Sequence, residues 1–240
     1  MAERPILFNG AMVRAILSGA KTQTRRAIKP QPFEASALDV PGQYRPSFDE
    51  SDRLRVATSS GVHLLACPFG QPGDRLWVRE RFKPVASGQV KNGYGEVRYG
   101  YAYEADSSTL WNKRTTIIHD LTGQPDKGPM QFQHNPWKPA ICMPHRACRL
   151  VLEISAVRVE RLQDGDGDTD FESRYLAEGI NRIHHGDGDY YYSGLRDEPH
   201  PKNWCHPDDA FRELWIGAGG DWDSNPWVWV IEFKRVEVGQ

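Results

Sequence analysis

Met12, Val13, Ile16 and Leu17 share one face of a helix drawn over residues 11–18, and Gly19 follows where a helix C-cap belongs. Ahead of them, Ile6-Leu7-Phe8 is a short apolar run that predicts a strand. Behind them comes Lys21-Thr22-Gln23-Thr24-Arg25-Arg26, bounded by Gly19 and by Pro30 and Pro32, which reads as a polar extended segment. Residues 30–60 are rich in Pro and Ser and keep no period, so they predict loop. The turn-forming run from Cys67 to Asp74 launches a strand over residues 75–80, and the alternation of Val97, Tyr99, Tyr101 and Tyr103 predicts another. Residues 105–147 again look irregular. Leu150, Leu152 and Ile154 alternate, then Val157 and Val159 resume in a shifted phase, as in a long strand with a bulge. Thr169-Asp170-Phe171-Glu172 has capping-box form and predicts a helix of about two turns ending near Ala177. A second helix is expected over residues 208–215, and a last strand over 227–233 that is apolar on both faces at first.

Strands outnumber helices, and no regular strand–helix–strand alternation is present, so the expected class is α+β with a twisted or closed sheet. No internal repeat or linker divides the chain, which predicts a single domain over residues 1–240. Its 240 residues would bury about 70% of the unfolded surface, enough for one large domain or two small ones.

No run of 18 apolar residues occurs, and Met1-Ala2-Glu3-Arg4-Pro5 has charges where a secretory signal would be apolar. The expectations are no membrane partner and a cytoplasmic location. Cys67, Cys142, Cys148 and Cys205 form no CxxC pair, so reduced thiols are expected rather than a disulfide framework or zinc knuckle. The net charge of −2 gives no general affinity for nucleic acid, but the charge is unevenly spread. Residues 1–32 hold six bases and one acid, and residues 161–225 hold fifteen acids and six bases. The basic segment could meet phosphates or pair with the acidic one inside the fold, and internal pairing is the favoured expectation.

The run from Asp164 to Asp170 resembles a calcium loop only superficially. Counted from Asp164 it has Thr169 and Tyr175 where an EF-hand needs Gly and Glu, and counted from Asp166 it has Phe171 and Ala177. His184-His185 sits in a Gly- and Tyr-rich stretch without a helically spaced partner, so no metal and no cofactor are expected. Of eight tryptophans, five fall within residues 204–229, more than a core usually requires, and flat aromatic walls are suited to holding an unstacked base.

Lys21 and Thr24 are the most informative pair. A desolvated amine can take the proton of a hydroxyl and turn it into a nucleophile. That requires bringing the lysine from about 10.4 toward 7, on the order of 4–5 kcal/mol, which only burial can supply. In a perfectly extended strand the two side chains would face opposite sides, so they converge only if Lys21 lies in the turn before the strand.

The run Gly19-Ala20-Lys21-Thr22-Gln23-Thr24-Arg25-Arg26 resembles the Gly-x-Lys-x-x-Glu-x-Arg signature of the ASCH domains, a branch of the PUA-like β-barrel superfamily associated with RNA. Thr24 stands where most of that family has Glu, and in this the chain is similar to the family's small bacterial N4-acetylcytidine amidohydrolases. Gly73-Asp74, the run from Gly73 to Glu80, and Asn225-Pro226-Trp227-Val228-Trp229-Val230 further resemble longer ASCH-like proteins of bacteriophages and prophages. The resemblance implies a PUA-like twisted β-barrel with a few short helices and long loop insertions at about 30–66, 83–137 and 181–209. It implies Lys21 as base, Thr24 as nucleophile and Glu178 as the third member of a triad. Arg26, with Trp77, Arg79 and Glu80 after Gly73-Asp74, is expected to bind the substrate, a small-molecule nucleoside acylated on its exocyclic amine. Two alternatives stay open: a non-catalytic or nucleolytic RNA-binding domain that holds a flipped or modified base, with Arg14, Arg25, Arg26 and Lys29 tracking phosphates, and a phage structural or host-interaction protein with a vestigial pocket.

Overall fold

A computed structural model describes residues 1–31, 47–48, 54–58, 61–91, 94–119, 136–165, 173–186 and 188–236. In chain order the elements are β1 (Glu3–Leu7), α1 (Gly10–Leu17), β2 (Gln23–Ala27), β3 (Ser47–Phe48), β4 (Leu54–Thr58), β5 (Gly61–Leu65), β6 (Arg75–Arg79) and β7 (Phe82–Lys91). They continue as β8 (Tyr94–Tyr103), β9 (Thr109–His119), β10 (Val151–Arg161), β11 (Asn181–His184), β12 (Tyr190–Ser193), α2 (Pro207–Gly217) and β13 (Trp227–Val236). The architecture is mixed α+β, dominated by strands with two short helices among the described residues. A five-stranded sheet runs in the order β1-β6-β10-β13-β2, beside a β11-β12 hairpin and the three-stranded sheets β3-β4-β5 and β7-β8-β9. No described helix is long and apolar enough to cross a membrane.

Two compact units are distinguished, one drawn from residues 1–4, 15–76 and 152–237, the other from 5–14 and 77–151. The core of the first gathers Leu162, Tyr175, Ile180, Tyr192, Ala210, Phe211, Leu214, Val228 and Val230. Pro207 opens α2 with its fixed φ, and Asp208 and Asp209 complement the positive end of the helix. Ala210, Phe211 and Leu214 form its buried face, with Phe211 stacked on Tyr175 at 4.4 Å between ring centroids. On β13, Val228, Trp229, Val230 and Ile231 are buried in succession, so both faces of the strand are covered. The second unit centres on Phe82, Tyr103, Met143 and Ala147, with the Tyr103 hydroxyl donating to the Ala147 carbonyl at 2.7 Å.

Several expectations are corrected. Within residues 30–60, β3 pairs with β4, and β4 pairs with β5 in a register that sets Leu54 opposite Leu65 and Thr58 opposite Gly61. These strands are too short to show a period, and pairing stabilises them. Within 105–147, β9 is eleven residues long; its Thr and Ile residues favour extended backbone, and every proline of that span lies beyond it. The helix expected to end near Ala177 is not formed at residues 174–177, which are turns, while its proposed cap at residues 169–172 lies outside the described residues. Leu176, Glu178 and Gly179 donate to the carbonyls of Ser173, Tyr175 and Leu176, three residues back in each case, so the chain winds more tightly than an α-helix. His184 lies in the β11-β12 hairpin, paired with Tyr190, rather than in a loop. In β10 Leu152 and Ile154 are buried and Ser155 is exposed, but Val157 and Val159 are half-buried like Ala156 and Arg158, so burial does not follow the expected change of phase. Residues 166–172, the rest of the acidic run, lie outside the described residues.

Candidate active site

The site is assembled in the first unit from the turn after α1, the strand β2 and the turn ending at Gly179. Gly19 takes the left-handed φ of +82° that ends α1, and its amide donates to the Ile16 carbonyl at 3.1 Å. The chain then reverses, and the Lys21 amide donates to the Ala15 carbonyl at 3.0 Å. Lys21 pairs with Glu178 as an isolated antiparallel bridge, and Thr22 and Gln23 both donate to the Ala177 carbonyl, at 2.9 and 3.1 Å. Gly179 has φ +89°, and a Cβ there would lie 2.7 Å from the Ala15 Cβ and 3.0 Å from the Lys21 Cβ, so only glycine lets this turn dock.

This backbone clasp delivers one carboxylate to two cations. Lys21 Nζ donates to Glu178 Oε2 at 2.8 Å and to the Glu178 carbonyl at 2.8 Å, and the Arg25 guanidinium donates to Glu178 Oε1 at 3.0 Å. Lys21 and Arg25 side chains are fully buried, and Glu178 is 3% exposed. Arg25 also reaches Glu160 Oε2 at 3.3 Å, while Glu160 Oε1 accepts from Arg158 at 2.6 Å and from Arg174 at 2.8 Å. Gln23 fastens the same corner by donating to the Arg174 carbonyl at 2.6 Å and accepting from Arg158 at 3.2 Å. Arg158 in turn binds Glu232 on β13.

Burial pulls the Lys21 amine below its ordinary proton affinity; Glu178 opposes that fall, and the positive charges of Arg26 and Arg25 add to it. Burial likewise lowers Arg26, partly offset by Glu178. Thr24 is buried on β2 opposite Ile231 of β13. By strand alternation Gln23 and Arg25 share one face and Thr24 and Arg26 the other. Lys21 lies outside β2, in the turn, and its amine is bonded to Glu178, the carboxylate that Arg25 also holds.

Trp77, Arg79 and Glu80 belong to the second unit and have partners of their own there. Trp77 makes an edge contact with His145 at 5.1 Å, Arg79 lies over Trp77 at 5.3 Å and donates to the Ile141 carbonyl, and Glu80 is clasped by Arg149 through two bonds of 2.8 Å. Burial raises the Glu80 carboxyl above its usual range against the pull of Arg149. Both oxygens of Glu80 are thus engaged by Arg149 within this unit. Arg25 cannot track surface phosphates, because its side chain is enclosed between two carboxylates. Lys21 and Arg25 instead pair internally with Glu178 of the acidic segment, the alternative the charge distribution favoured.

Sequence reasoning missed Arg25, Glu160, Arg158, Arg174 and Gln23 as parts of this site. The Arg158-x-Glu160 spacing, which places opposite charges on one face of β10, is the signal that could have found two of them. Among the described residues no group of three or more His, Cys, Asp or Glu is placed to hold a metal. His184 and His185 pack on Tyr190 and Tyr191, at 5.2 and 4.1 Å. The four cysteines are free thiols.

Compared with protein-family models, with curated proteins and with solved structures, the chain finds no match.

Proposed function

We propose that this chain is an amidohydrolase of PUA-like, ASCH-type fold that removes the acyl group from the exocyclic amine of N4-acylated cytidine or a related nucleoside. The observation that carries the reading is the buried Lys21, lowered in proton affinity, bonded to Glu178 and followed three positions later by the buried Thr24. A structural role alone is a weak reason to bury the amine, since a buried ion pair contributes little stability. In the reaction Thr24 Oγ1 attacks the acyl carbon while Lys21 Nζ takes the hydroxyl proton. The carbon–nitrogen bond then breaks, and the same proton passes to the departing amine. Water adds to the acyl-threonine ester while Lys21 takes its proton, the carbon–oxygen bond to Thr24 breaks to release the carboxylic acid, and Lys21 returns the proton to Thr24 Oγ1. Glu178 orients the Lys21 amine throughout, and Arg26 contributes positive charge near it.

Incubating the purified protein with a panel of N4-acylated cytidines, followed by chromatography, tests this reading. Turnover is expected for at least one of them, with a loss of about a thousandfold or more in Thr24→Ala, the fold being retained. Wild-type turnover in Thr24→Ala refutes the covalent route. Binding of modified RNA without any turnover replaces the enzyme with a base-holding module.

A further inference from the structure

We propose that Arg25 is a positioning residue of this site: its guanidinium is the fixed countercharge that keeps Glu178 paired when Lys21 gives up its proton. The inference rests on reading Lys21 as the base, and it adds a residue outside the Lys-x-x-Thr-x-Arg pattern.

Glu178 divides its two oxygens, Oε2 to Lys21 at 2.8 Å and Oε1 to Arg25 at 3.0 Å. If Lys21 were its only close cation, loss of the amine proton would strand a carboxylate that is 3% exposed. The pair would then resist that loss, and a lysine locked in its charged form cannot act as a base. Arginine does not deprotonate in proteins, so the charge on Arg25 persists through the whole cycle. The surroundings hold it in place. The guanidinium lies over the rings of Tyr175 at 4.9 Å and Phe211 at 5.8 Å, and its second arm is tied to Glu160. Gly165 permits the approach, since a Cβ there would lie 2.3 Å from the Tyr175 ring and 2.9 Å from an Arg25 nitrogen.

Arg26 from β2 also acts on the amine, and the ion pairs continue from Arg25 to Glu160 of β10, from Glu160 to Arg158 of β10 and Arg174 of the turn, and from Arg158 to Glu232 of β13. Arg158 and Arg174 occupy the other oxygen of Glu160, so Arg25 is not withdrawn from Glu178 by an otherwise unbalanced acid. The charges of Arg26 and Arg25 both act on the amine through space, and Arg25 in addition bonds the carboxylate that holds it.

The test is NMR titration of the lysine side-chain nitrogens in full-length wild type, Arg25→Gln and Arg25→Lys, with the Lys21 signal identified by its loss in Lys21→Met. In Arg25→Gln the Lys21 midpoint should rise by about one pH unit or more, and in Arg25→Lys it should stay within about half a unit of wild type. Turnover of N4-acetylcytidine near pH 7 should fall about tenfold in Arg25→Gln, recover at higher pH, and keep its profile in Arg25→Lys. An unchanged midpoint in Arg25→Gln, or an equal rise in both variants, overturns the proposal. If Arg25→Gln fails to fold, a rise of one unit in Arg25→Lys overturns it and an unchanged midpoint supports it. Absence of hydrolysis in the wild type would remove the enzymatic reading alone, because the titration reads Lys21 without turnover.

Discussion

Glu178→Ala is the perturbation that most directly tests the physical account of the site. The substitution removes a carboxylate that takes Lys21 Nζ at 2.8 Å and Arg25 at 3.0 Å, with both cationic side chains fully buried. Surface screening gives no discount here, and breaking a buried pair from one side costs about 3–5 kcal/mol. Arg25 keeps Glu160, so the uncompensated charge is chiefly that of Lys21. For a chain of this size that loss lowers Tm by roughly 6–20 °C. The sign with pH follows from linkage. Lys21 holds its proton less tightly folded than unfolded, so between its lowered folded value and the ordinary value near 10.5 the unfolded chain carries more protons, and stability rises with pH. Removing Glu178 takes away the main influence that raises the amine and extends that window downward. The deficit of the variant is therefore larger at about pH 6 than at about pH 9, where Lys21 is more readily neutral. Urea unfolding at the two pH values measures it, and Lys21→Met combined with Glu178→Gln should lose less than the two single changes summed. A Glu178→Ala protein within about 1 kcal/mol of wild type at pH 6 would refute the reasoning, since no buried pair of this kind leaves so small a gap.

Gly179→Ala should destabilise by about 1–3 kcal/mol through its left-handed φ alone. It should also depress turnover, because the new Cβ presses on Lys21 at 3.0 Å; unfolding curves and steady-state rates together check both effects. Turnover of N4-acetylcytidine should change by less than about twofold between roughly 50 and 200 mM salt, whereas a polynucleotide ligand held by its phosphates would lose about tenfold or more in affinity over the same range.

What was legible in the sequence depends on how local its cause is. Helix α1 and its glycine stop follow from apolar spacing and one left-handed residue, and the sequence placed both within one residue. α2 was legible for the same reason, with Pro207 and two aspartates marking its start. β3, β4 and β9 were not, since their stability comes from neighbouring strands rather than from their own pattern. The turn over residues 174–177 was misjudged as helix because a capping signal describes a start and says nothing about the docking that ends the segment at Gly179. The site shows the same division more sharply. Lys21, Gln23, Thr24 and Arg25 are polar by every measure of a single residue, which made a solvated strand the natural reading, yet each is 2–3% exposed. Hydropathy scores residues one at a time, whereas burial of a charge is decided by its partner. Lys21 finds Glu178 at a separation of 157 positions, and Arg25 finds Glu178 and Glu160 at 153 and 135. A charged run of this sort becomes interior only when a distant carboxylate arrives with it, so the acidic segment supplies the group that lets the basic one be buried.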